Sequence, residues 1–183
     1  MQFRNSAVTY GLITQLFHWG MVALVLTQLV LAAIFEEMEK GPAKGDMIGT
    51  HKAVGITVLV LAALRLAWRF TNPVPLLHAT TRNYERVLSR IAHTLLYILL
   101  VSMPLSGWMM SSAGGHTVSY FGLFDLPNLV AESESIGDFF HEFHEIAAVI
   151  FVAVIALHLL AALKHHFVDK NDVLRRIVPG WYK

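Results

Sequence analysis

Cysteine is absent from this 183-residue chain. That excludes disulfides, thiolate metal sites and iron–sulfur clusters, and it excludes a haem attached through a Cys-x-x-Cys-His motif. Charge is scarce too: Asp, Glu, Lys and Arg make up 15% of the residues, where a soluble domain carries about a quarter. The net charge is +1, so no basic surplus points to nucleic acid. Lys and Arg are missing altogether from the segment 113–142. For metal chemistry the chain is left with carboxylates and 10 histidines.

What the chain has in excess is apolar surface. It is 55% hydrophobic, with mean hydropathy +0.54, which selects the membrane class and leaves no room for a large soluble domain. Four segments, at about 12–35, 51–70, 91–112 and 143–166, are long enough to cross roughly 30 Å of hydrocarbon. The expectation is one all-α domain over residues 1–183, a four-helix transmembrane bundle in a lipid bilayer. The first run ends in Phe35-Glu36-Glu37, not at a small-residue cleavage site, so it reads as a span and not as a signal peptide. Thr71-Asn72-Pro73-Val74-Pro75 breaks the helix after span two. Residues 82–90 read as an amphipathic lead-in to span three, and Pro104 with Gly107 predicts a kink within it.

Lys and Arg in the short flanks set the orientation. Arg4, then Arg65, Arg69, Arg82, Arg86 and Arg90, then Lys164, Lys170, Arg175, Arg176 and Lys183 fall on one side. The opposite side has the mixed loop 36–50 and the segment without basic residues. Both termini are therefore expected in the cytoplasm, with the chain in a bacterial inner membrane.

Orientation assigns a depth to each histidine. His18 and His158 fall toward the inner side, His51 and His144 toward the outer. His144 and His158 are fourteen residues apart, close to four turns, so they share a helix face about 21 Å apart. Two pairs result, His51 with His144 and His18 with His158. Each offers one imidazole to each face of a planar haem, as bis-histidine ligation requires. The expected cofactors are two haem b groups, and the expected activity is electron transfer across the bilayer. A single intramembrane histidine often serves only to hydrogen-bond helices together; the pairing by depth argues against that for all four. Gly55, one turn from His51, would clear space for a porphyrin, and Gly11 and Gly20 flank His18. Two rivals stay open at this point: a haem-bearing anchor subunit of a larger oxidoreductase, and a divalent-metal transporter using the same histidines. Closed zinc sites usually take four ligands, whereas each pair supplies two.

The ordered motifs carry a family resemblance. They are Phe17-His18-Trp19, Thr50-His51-Lys52-Ala53-Val54-Gly55-Ile56, Pro104-Leu105-Ser106-Gly107-Trp108 and Phe121-Gly122-Leu123-Phe124. His144-Glu145, Leu157-His158, Ala161-Ala162-Leu163-Lys164-His165-His166-Phe167 and Asp169-Lys170-Asn171-Asp172 complete the set. Together they resemble the prokaryotic cytochrome b561 family over essentially the whole chain. The resemblance implies a four-helix bundle, two b haems and electron exchange with ubiquinone. Its axial ligands fall on His18, His51, His144 and His158. Superoxide oxidation coupled to quinone reduction is an activity within the family. Superoxide is an anion that a positive surface would steer, and here the outer side offers only Lys40, Lys44 and Lys52. The partner on that side is not named by the sequence.

Other residues take secondary roles. His141 is the rival outer ligand, on roughly the face of His144; the fourteen-residue register favours His144. Arg65 lies fourteen residues after His51, at the inner depth, where it pairs with a haem propionate or snorkels to the headgroups. Lys52 has the same alternatives on the outer side. His93 bonds a propionate or a neighbouring helix. His116 and His78 are expected in solvent, and Met103, Met109 and Met110 in packing. His165 and His166, near the inner interface, are the candidate quinone partners, because histidine can both hydrogen-bond a quinone and exchange its proton.

Overall fold

The computed structural model describes residues 2–76 and 81–181; His78 lies outside them. Four long helices dominate: α1 (Leu12–Glu37), α2 (Pro42–Phe70), α3 (Asn83–Ala113) and α4 (Glu134–Phe167), followed by a short α5 (Val173–Ile177). All four long helices are apolar and long enough to cross a membrane. Side chains such as Val30, Val60, Ile98, Val149 and Leu160 point outward, the pattern of a chain solvated by lipid. This is a multi-pass membrane protein.

The helices outrun the apolar segments that announce them. α2 begins nine residues before His51, with Pro42 at its first turn, where a missing N–H is harmless. At 1.5 Å per residue its 29 residues span about 43 Å, the thickness of a bilayer with its headgroups. Hydropathy marks the hydrocarbon portion; backbone hydrogen bonding carries the helix on through the polar layer. The expected lead-in at 82–90 is likewise the first part of α3, where the Glu85 carboxylate accepts the Arg82 N–H at 3.0 Å. α3 remains helical through Pro104.

Neighbours pack in sequence, α1 on α2, α2 on α3 and α3 on α4. The core is a cluster of Met21, Val58, Ala62, Leu99, Leu100, Ala147, Phe151 and Val154. Phe151 is seven residues after His144 and seven before His158, two turns from each, so this core separates the two histidine levels. Among the described residues, no Cα of α4 comes within 8 Å of a Cα in α1 or α2.

Each end is closed. At one, a hairpin of β1 (Ser119–Tyr120) and β2 (Phe124–Asp125) turns through Phe121 and Gly122, both at positive φ. Val118 is buried beneath it, and the Tyr120 hydroxyl meets Thr57 of α2 at 3.2 Å. At the other end the N-terminal segment folds against α1: Gly11 has no room for a Cβ, which would stand 2.3 Å from the Phe3 carbonyl.

Candidate functional site

Two imidazole pairs face each other across the space between helices whose backbones stay apart, with no Cα pair within 8 Å among the described residues. His51 of α2 and His144 of α4 have ring centroids 6.5 Å apart. His18 of α1 and His158 of α4 have centroids 6.4 Å apart. A metal held between two imidazole nitrogens, about 2 Å from each, would set ring centres roughly 6 Å apart once the ring radii are added. The separations therefore suit one iron between the rings of each pair. Among the described residues, no hydrogen bond engages Nε2 of any of these four histidines.

Side chains behind the rings fix the outer pair. The Ser106 hydroxyl donates to the Met103 carbonyl at 2.8 Å and also lies 2.9 Å from His144 Nδ1. With its hydrogen engaged, Ser106 can only accept there. His144 Nδ1 therefore carries the proton, and the Nε2 lone pair is free for a metal. Gly107 makes the approach possible: a Cβ there would sit 3.3 Å from His144 Cε1. The sequence motif containing Ser106 and Gly107 was read as a kink and as part of the family resemblance, without a role beside a ligand. The signal for the further role was a hydroxyl and a glycine in an apolar helix at the depth of a histidine on the next one. Opposite, His51 Nδ1 is buried without a partner among the described residues, and the Gln28 amide donates to the His51 carbonyl at 3.1 Å.

Gly55 has a neighbour that the expectation did not include. A Cβ there would meet the Gln28 amide nitrogen at 3.0 Å, so the glycine admits a side chain of α1. Gly20 has nothing near its missing side chain. Lys52 reaches α3 and donates to Ser111 Oγ at 2.6 Å.

Around the inner pair, Arg65 lies 3.3 Å from His18 Nδ1. Its guanidinium and that of Arg69 each stand 5.5 Å from the Tyr97 ring centre. Arg65 thus lies beside the pair. His93 joins this end, its ring 5.2 Å from that of His158 and its Nδ1 3.3 Å from Ser89 Oγ. His141 is exposed beside Glu145 at 3.8 Å, outside the pairs.

His165 and His166 diverge. His165 Nδ1 is 2.7 Å from Asp169 Oδ2. Asp169 also accepts from Lys164 at 2.8 Å, and Lys164 bridges to Glu85. The Lys164 ammonium holds the Asp169 carboxyl below its usual range. His166 instead stacks on Trp181, with ring centres 5.9 Å apart. Glu85, His165 and Asp169 form the one grouping of three metal-type side chains among the described residues. Lys164 already occupies both carboxylates, which disfavours a cation there. Among the described residues, no third such side chain comes close enough to either pair to share a metal ion with it, although the His93 ring stands beside that of His158.

Residues 9–180 match the family model described as prokaryotic cytochrome b561. The chain belongs to that family. It is 34% identical to "Cytochrome b561 homolog 2" of Escherichia coli (strain K12), over 97% of this chain and 95% of that one. It is 29% identical to "Cytochrome b561 homolog 1" of the same organism, over 91% and 95%. A Yersinia pestis protein named "Probable superoxide oxidase CybB" is 30% identical over 70% of this chain and 73% of its own. Membership makes this a haem-binding electron-transport protein of the membrane.

Proposed function

We propose that the chain is a di-haem b cytochrome carrying electrons between ubiquinone and a redox partner on the outer side of the bacterial inner membrane, with both termini cytoplasmic. The observation that carries this reading is the pair of facing imidazoles at each of two depths, 6.4 and 6.5 Å between ring centres. His51 and His144 would hold the outer haem, His18 and His158 the inner. Bound haem would supply one-electron chemistry at iron. With two imidazoles to hold each iron, the protein's part would be placement and tuning.

The residues around each pair divide that work. Ser106 keeps His144 in the tautomer that leaves Nε2 free. Arg65 can only donate, so in its present position it requires His18 Nδ1 to accept. For His18 to ligate through Nε2, the guanidinium must turn away, and a propionate carboxylate is the partner its planar fork fits. His165, oriented by Asp169, would exchange hydrogen bond and proton with quinone at the inner interface. Superoxide is the outer donor suggested by the name of the Yersinia pestis relative; Lys52, whose ammonium stands near the outer pair at Ser111, is the nearest basic group to steer it.

A reduced-minus-oxidised spectrum of purified protein with haem quantified per chain tests the reading. Two haems, released completely by acid and organic solvent because there is no cysteine to tether them, are expected. One haem per chain, or haem that stays with the polypeptide, would overturn it.

A further inference from the structure

The two histidine pairs are built on unequal supports. The outer pair spans α2 and α4, and α3 packs against both, with Ser106 and Gly107 directly behind His144. The inner pair spans α1 and α4. Among the described residues the backbone of α1 comes within 8 Å, Cα to Cα, of the helices α2 and α5, and that of α4 of α3 and α5; between α1 and α4 themselves only side chains meet, in the core around Met21 and Phe151. The short C-terminal helix is therefore the one helix whose backbone lies close to both helices that carry the inner pair.

Its attachment to α1 is centred on His18. Gln15, three residues before it, donates its amide to the Arg176 carbonyl at 3.1 Å. Trp19, one residue after it, donates its indole N–H to the Ile177 carbonyl at 3.0 Å. Gln15 is buried, at 7% exposure, so its bonds are shielded from water. The far side of α5 is held as well. The Arg176 guanidinium donates to the Leu76 carbonyl at 2.7 Å and pairs with Asp172 at 2.9 Å. On the α4 side the Asn171 N–H bonds the His165 carbonyl at 3.0 Å, and Trp181 stacks on His166.

We propose that the segment 171–181 is a clasp that sets the distance and ring orientation of the inner histidine pair, with Gln15, Trp19 and Arg176 as positioning residues. The proposal rests on the reading of His18 and His158 as haem ligands. Without the clasp, the end of α1 that carries His18 loses its backbone link toward α4, and the His18 ring gains freedom to tilt from its present 63° angle to the His158 ring. Nothing comparable follows at the outer pair, which α5 does not reach. Supporting contacts behind metal ligands typically change metal affinity about ten- to hundredfold, and that is the range expected for the inner haem.

The test uses the full-length protein, a chain ending at Asp172, and the substitutions Arg176→Gln and Arg175→Ala. Haem transfer to excess apomyoglobin gives the retention of each centre, and the low-spin EPR signal reports the angle between the imidazole planes. The shortened chain is expected to release its inner haem about ten- to hundredfold more readily and to show a displaced inner signal, with the outer centre unchanged as an internal control of folding. Arg176→Gln is expected to move the same two readouts in the same direction, and Arg175→Ala, at an exposed position, to move neither. An inner haem held and oriented as in the full-length chain, or equal loss from both centres, overturns the clasp. A full-length protein without a haem dependent on His18 and His158 overturns the ligand reading itself, before any variant is compared.

Discussion

Ser106 and His144 form a hydrogen bond whose direction is fixed by a third group: the serine hydrogen lies on the Met103 carbonyl, so the imidazole must donate. Ser106→Ala is therefore expected to release the His144 ring to either tautomer and weaken outer haem binding about tenfold or more. Gly107→Ala should act similarly, because the added Cβ would stand 3.3 Å from the His144 ring and push it aside. Hemin titration of the apoprotein measures both. Unchanged outer affinity in both variants would remove Ser106 and Gly107 from the support of the ligand.

Each histidine pair should own one spectrum. His51→Ala or His144→Ala is expected to delete the outer centre and leave the inner one; His18→Ala or His158→Ala should do the reverse. His141→Ala should change neither, since its ring stands exposed beside Glu145. Loss of the outer centre in His141→Ala would reassign that ligand.

Quinone exchange is expected to depend on His165 more than on His166. His165→Ala should keep both haem spectra and slow electron exchange with a water-soluble quinone analogue, while His166→Ala, which loses only a stack on Trp181, should have the smaller effect. Asp169 adds a pH dependence. Its folded-state pKa is depressed by Lys164, so its contribution is present above the ordinary carboxylate range and is lost as pH falls through the depressed value. Exchange measured down a pH series should decline at the acid end, and in Asp169→Asn that step should vanish. Wild-type rates in His165→Ala and His166→Ala would move the site elsewhere, with the outer edge near His51 and Lys52 the next place to look.

Topology follows from the basic flanks. Reporter fusions at residue 183 should read cytoplasmic and fusions within 113–142 external. The opposite pattern would exchange the inner and outer labels of the two centres.

Much of this arrangement could be read from residue order. The four apolar runs gave the helices, and the spacing of His144 and His158 gave two depths, because both signals are periodic along a single helix. What escaped were the contacts between helices that depth alone does not mark. Gly55 looked like porphyrin clearance, yet its neighbour is Gln28, a residue on another helix that no spacing rule connects to it. The bonds from Gln15 and Trp19 to backbone carbonyls of α5 involve acceptors that every residue has, so no side-chain pattern marks them. Helix ends were short in the reading because hydropathy stops where the headgroups begin, while hydrogen bonding continues.

On the proposed ligand assignment, α4 supplies one imidazole to each centre, while its backbone keeps more than 8 Å, Cα to Cα, from both helices that supply the other. A chain still emerging from the ribosome, with three helices inserted, would hold half of each coordination sphere and the whole of neither. Acquisition of both haems would thus be a late event in biosynthesis, awaiting the last helix, and a truncation anywhere before His144 would leave a protein colourless at both depths.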